Sequence, residues 1–170
     1  MRKALAPVMV AKRPLNAEAK TFLVPVDFCS CARKAAGEAL MLAESFGGRI
    51  IFLHVLDLYP LYGDAYGDDI SVSIPVPPPK PEEIEEEWQA FFSGLPLEKV
   101  TCEKHIEEGQ AAVAIVQQAE ESHADLIVMG THGRSGLAHM LPGSVAEKVV
   151  RAASCPVLTI RPEAFQFEMP

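Results

Sequence analysis

The sequence predicts an α/β fold, a three-layer α/β/α sandwich around a five-stranded parallel sheet. Three observations carry this expectation. Apolar runs such as RIIFLHVL and DLIVMG are too continuous for strands with a wet face and suit strands covered by helices on both sides. Between the runs lie segments with apolar residues at three- and four-residue steps, the period of a helix packed on one face. The two kinds alternate along the chain, and strand–helix–strand units joined by right-handed crossovers wind into an open parallel sheet.

The elements follow in order. TFLVPVD, at residues 21–27, is a short apolar strand that ends at an acid. FCSCARKAAGEALMLAESFGG then carries Ala32, Ala35, Ala36, Ala39, Leu40, Ala43 and Phe46 on one helical stripe, with Ser30 placed as N-cap and Gly47 and Gly48 as the stop. RIIFLHVLD is the second strand. Residues 58–81 are rich in Pro, Gly, Tyr and Asp, and so long a connection predicts a flexible insertion or flap. PEEIEEEWQAFFSGL is a helix with Ile84, Trp88, Phe91, Phe92 and Leu95 inward and its acids on a solvated face, several in the first turns where the helix dipole favours them. LEKVTCEKHIEEG alternates Val100, Cys102 and Ile106 around Lys104, the pattern of a partly exposed edge strand. QAAVAIVQQAEESHA, ADLIVMG, SVAEKVVRAAS and PVLTIRP complete the order as helix, strand, short helix and final strand. The main domain is read as residues 21–163, preceded by an extension at 1–20 and followed by a tail at 164–170.

Composition narrows the function. A chain of 170 residues, 49% hydrophobic, holds one substantial core. A formal charge of -8 argues against a surface that wraps nucleic acid, which needs clustered Lys and Arg. No run reaches the roughly 18 apolar residues of a spanning helix. Pro7, Lys12, Arg13 and Pro14 interrupt the first twenty residues, so they read as a cytoplasmic extension that stays unordered unless it docks, not as a signal peptide. Four scattered cysteines point to a reducing compartment. Cys102 and Cys155 read as core; Cys29 and Cys31 stand where a helix dipole would lower a thiol pKa, but no CxxC or nearby His completes a redox or metal site. His132 and His139 are too far apart for a helical ligand pair, and His54, His105 and His123 form no constellation.

In open parallel sheets ligands sit beyond the carboxyl ends of the strands, where the strand order reverses. Two such ends are unusual here: Pro25, Val26 and Asp27 after the first strand, and Met129 and Gly130 after the fourth. If these strands are neighbours, a polar cleft lies between them. Met129 opens the stretch MGTHGRSGLAHMLPGSVAEKVV, which lacks the GK[ST] ending of a P-loop. Gly130 and Gly133 permit close backbone approach, and Gly143, Ser144 and Val145 stand at a helix start whose free N–H groups make an anion site. Read from the residues alone, the loop is either a phosphate holder or a flexible turn with Ser144 as N-cap.

GTHGRSGLAHMLPGS, with Gly130, Gly133, Gly143 and Ser144 at the spacing Gly, two residues, Gly, nine residues, Gly, Ser, resembles the signature of the ATP-binding members of the universal stress protein family. VPVDFCSCA, LHV, ADLIVMGTHG and SCPVLTIRP extend the resemblance across residues 21–161. It implies a Rossmann-like, adenine nucleotide alpha hydrolase-like fold and a cytoplasmic stress-response or signalling module that binds ATP, with Mg²⁺ held mainly by the phosphates. Asp27 and the backbone near Pro25 and Val55 would receive adenine and ribose. Met129 and Gly130 would line the ribose side, and Gly133, Arg134, Gly143, Ser144 and Val145 would hold the phosphates. The resemblance also offers Ser144 as a phosphorylation site, in the manner of some relatives. No Walker B acid, kinase HRD and DFG set or HxGH pair is visible, so the expectation is a holder of ATP with at most slow hydrolysis; the rivals are a nucleotide hydrolase or transferase and an interaction protein that binds no nucleotide. In the final strand Val157, Thr159 and Arg161 alternate with Leu158 and Ile160, leaving an edge free to pair, and the resemblance implies a homodimer through it.

Overall fold

A computed structural model describes residues 7–15, 18–56, 78–131 and 145–161. In chain order its elements are β1 (Val8–Val10), β2 (Thr21–Pro25), α1 (Ser30–Phe46), β3 (Arg49–Leu56), α2 (Pro81–Phe92), β4 (Thr101–Glu108), α3 (Ala111–Glu121), β5 (Leu126–Gly130), α4 (Val145–Ala152) and β6 (Val157–Ile160), with a 3-10 turn at Leu97–Lys99. The five expected parallel strands are β2 to β6. A sixth, β1, comes from the extension and pairs antiparallel with β6, so the sheet order is β1-β6-β5-β2-β3-β4.

Side-chain alternation along the strands builds two cores. Phe22 and Val24 of β2, Ile50 and Phe52 of β3, and Leu126 and Val128 of β5 face α1 and α2. Leu23, Ile51, Leu53, Ile127 and Met129 face α3 and α4. Every residue of β2 is buried, which is why its sequence runs apolar without a break. By contrast β4 is mostly exposed, the edge its Lys104 foretold.

The stripe predicted for α1 is the buried one: Ala32, Ala35, Ala36, Ala39, Leu40 and Ala43 are all at most 3% exposed. Small side chains let the helix axis approach the sheet closely. Gly47 closes α1 in the left-handed region at φ 62°, the conformation that favours glycine. The N-cap, however, is Cys29 and not Ser30: its Sγ accepts from the Ala32 N–H at 3.3 Å, and Ser30 begins the helix. Asp125, just before β5, fastens the other end of the sheet. Its carboxylate accepts from the Lys20 and Thr21 N–H groups at 2.9 and 3.1 Å, and its own N–H donates to the Thr21 carbonyl at 2.8 Å.

Candidate functional site

The order β5-β2-β3 places the reversal of strand order between β2 and β5, which pair in parallel with Phe22 opposite Leu126 and Leu23 opposite Ile127. The two unusual strand ends are therefore side by side, as the cleft expectation required. After Pro25, Val26 is buried and still on the sheet, its N–H bonded to the Leu53 carbonyl at 2.8 Å. His54 donates from Nδ1 to the Val26 carbonyl at 2.7 Å, because only a protonated nitrogen can face an acceptor. His54 thus ties the end of β3 to the end of β2, a structural role at the base of the crevice.

Asp27 is half-buried at the rim. Its Oδ1 accepts from the Cys29 N–H at 3.2 Å, a local Asx turn that orients the carboxylate. Between them Phe28 adopts φ 60°, the left-handed region, which costs a non-glycine residue about 1–2 kcal/mol. The ring compensates by packing: its centroid lies 4.5 Å from His54, 5.0 Å from Trp88 and 5.9 Å from Phe91, edge-on to the last two. Such aromatic pairs contribute about 0.5–1.5 kcal/mol each beyond burial. Nothing in the sequence alone marks Phe28 or Trp88 as part of the site. Backbone sign is invisible in a sequence, and the Trp88 contact depends on how α2 docks.

Cys29 corrects a second expectation. Burial, then the hydrogen bond from its thiol to Asp27, pushes its pKa up to about 11. The N–H groups of the helix N-terminus pull it down but are outweighed, because desolvation and an adjacent carboxylate both oppose the thiolate. Cys102 and Cys155 are also pushed up by burial, and all four cysteines are free. Cys155 is buried, and Cys102 packs half-buried against the core.

On the β5 side, Met129 is 4% exposed and packs toward α3 and α4; what it offers the crevice is backbone. Val55 is half-buried against the same core. At Gly130 a Cβ would lie 2.9 Å from Cys31 Sγ and 3.2 Å from its carbonyl carbon, so the first turn of α1 rests directly on this residue. Cys31 Sγ donates to the Ile160 carbonyl at 3.2 Å, and the Thr131 N–H reaches the same oxygen at 2.9 Å. The α1 N-terminus is thereby wedged against the ends of β5 and β6. Val145 is exposed in the first turn of α4. Gly133, Arg134, Gly143, Ser144, His132 and His139 lie outside the described residues, as does most of the insertion expected at 58–81. Among the described residues no cluster of three or more His, Cys, Asp or Glu is arranged to hold a metal ion, and no described helix is long and apolar enough to cross a membrane.

The strand order defines a doubly wound α/β protein with the Asp27 carboxylate and the end of β5 on neighbouring strands at the switch point of a mostly parallel sheet. The chain belongs to the universal stress protein family, whose model matches residues 18–161. A universal stress protein of Methanocaldococcus jannaschii is 35% identical over 147 residues, covering 84% of this chain and 82% of the relative. One from Thermus aquaticus is 33% identical over 143 residues, covering 84% and 98%. Among solved structures, a universal stress protein from Archaeoglobus fulgidus superposes with a TM-score of 0.67 at 22% identity, over 93% of this chain and 52% of that one. A universal stress protein solved in complex with cAMP has a TM-score of 0.62 at 22% identity, over 84% and 97%.

Proposed function

We propose that this protein is an ATP-holding module of the stress response, acting in the cytoplasm by binding nucleotide and not by turning it over rapidly. The observation that supports this most is the adjacency of β2 and β5: the chain leaves β2 through Asp27, and Met129 and Gly130 end the neighbouring strand. A carboxylate at a strand end accepts ribose hydroxyls or a base amine, and the strand-end backbone at Pro25, Val55, Met129 and Gly130 would line the nucleoside. Gly133, Arg134, Gly143 and Ser144 would then meet the phosphates, with Val145 opening the helix behind them. Mg²⁺ would be held mainly by those phosphates and water. The cAMP complex of a relative is in keeping with an adenine nucleotide as the ligand class.

The test is direct. Purified protein is denatured and its released small molecules are identified, and ATP affinity is then measured for the wild type and Asp27→Asn. Loss of a charge-assisted bond costs about 1.5–3 kcal/mol, so Asp27→Asn should weaken binding by about ten- to hundredfold with the fold intact. An unchanged affinity would remove Asp27 from the site. A timed assay of ADP release separates holder from enzyme: turnover of several per second, abolished by Ser144→Ala, would overturn the reading.

The homodimer expected through residues 157–161 is carried into this proposal with one change. The outer edge of β6 is already paired with β1, so it is not the free edge that the sequence suggested.

A further inference from the structure

The family match begins at residue 18, yet β1, at Val8–Val10, completes the sheet by pairing with β6: Val8 lies opposite Thr159, Met9 opposite Leu158 and Val10 opposite Val157. Thr159 Oγ1 donates to the Val8 carbonyl at 3.0 Å. Two residues past β1, Lys12 Nζ reaches the carbonyls of Arg151 and Ala153 at the end of α4, the second at 3.1 Å. A cation there satisfies helix-end carbonyls and complements the dipole. Lys12 is the latch, and β1 is the strap that it holds.

The strap is short. It has three residues, and Met9 is 44% exposed, so few ladder bonds and little burial keep it in place. A strand edge has one row of N–H and C=O groups and accepts one partner at a time. A second copy related by a two-fold axis would present its own β6 antiparallel, the direction in which β1 runs. The chemistry also corresponds, since VMV of β1 lies against VLT of β6, an apolar β-forming triplet on its near equivalent.

We propose that β1 is an intramolecular edge guard that occupies the place of a second copy's β6, so that strand-paired dimers form only when β1 is released. The inference rests on the homodimer reading and adds a control to it. The occupant excluded by the guard is another copy of this chain.

Met9 and Leu158 face each other directly, within the reach that a disulfide needs. The experiment compares three forms by light scattering after size exclusion: the full chain with Met9→Cys and Leu158→Cys oxidised, the same protein reduced, and a chain lacking residues 1–15. Peptide mapping confirms that the engineered pair, and not a native cysteine, has closed. The oxidised form should run as one chain of 18.5 kDa at all concentrations. Truncation should tighten self-association by about tenfold or more relative to it, with the reduced form between them. Dimers of equal strength in the oxidised and truncated forms overturn the guard and leave the dimer reading standing. A truncated chain that is folded by circular dichroism and still monomeric overturns both. If truncation unfolds the chain, the oxidised and reduced forms decide, and identical masses at every concentration reject the guard.

Discussion

At the rim of the crevice two small residues carry more than their size suggests. Cys29 fills the role that Ser30 was expected to play because Phe28, in the left-handed region, turns the chain one residue earlier than a smooth strand-to-helix passage would. The same turn brings the Cys29 N–H and thiol onto Asp27, so the helix cap and the carboxylate's orientation are one local structure. Gly130 was legible as a glycine that mattered, but the ligand was the visible reason and packing was the hidden one. Both follow from the same lack of a Cβ, and stability measured without nucleotide separates them. In Gly130→Ala the added methyl meets Cys31, whose carbonyl carbon belongs to the helix backbone and has little room to yield. Overpacking of this kind costs about 1–3 kcal/mol, so urea unfolding of the apo protein should show a loss in that range and a lower midpoint. An apo stability equal to wild type would mean that the glycine is there for the ligand alone.

Among the elements, α1 was readable because its small residues recur at helical spacing, and β2, β3 and β5 because strands buried on both faces run apolar. β1 was not readable. VMV sits among Pro7, Lys12, Arg13 and Pro14, and only the pairing with β6, a contact with the far end of the chain, makes it a strand. The role of α2 was hidden for a similar reason: its inward stripe was plain, but not that Trp88 would reach the turn after Asp27. Trp88 is the only tryptophan in the chain, is 1% exposed and lies edge-on to Phe28 with its Nε1 unpaired among the described residues. It is thus a built-in reporter of the crevice. Its emission should be blue-shifted in the native protein and should change when ATP is added, while Asp27→Asn keeps the blue emission and responds only at about ten- to hundredfold higher ATP. An emission indifferent to ATP in a protein that calorimetry shows to be binding would mean that α2 does not sense the site. Trp88→Ala should cost about 3–5 kcal/mol, since Phe28, Phe91 and Phe92 all pack on the ring.

For the whole molecule, the crevice is a junction through which both cores are coupled. Asp27 follows a strand buried between the two faces, Met129 belongs to the α3 and α4 side, and the Cys31 contact at Gly130 belongs to the α1 side. A ligand that bridges Asp27 and the β5 backbone binds the folded arrangement and has no counterpart in the unfolded chain, so binding must raise the unfolding temperature. At ATP about a hundredfold above its dissociation constant the gain is about 2.7 kcal/mol, and for a chain of this length that corresponds to a shift of about 5–10 °C. The time course of the shift distinguishes a holder from a consumer. If the protein retains ATP, samples incubated for hours before heating should show the same shift as fresh ones, and Asp27→Asn should show about half the shift or less at either time. If the shift decays with incubation while ADP accumulates, and fresh ATP restores it, the crevice is a catalytic site.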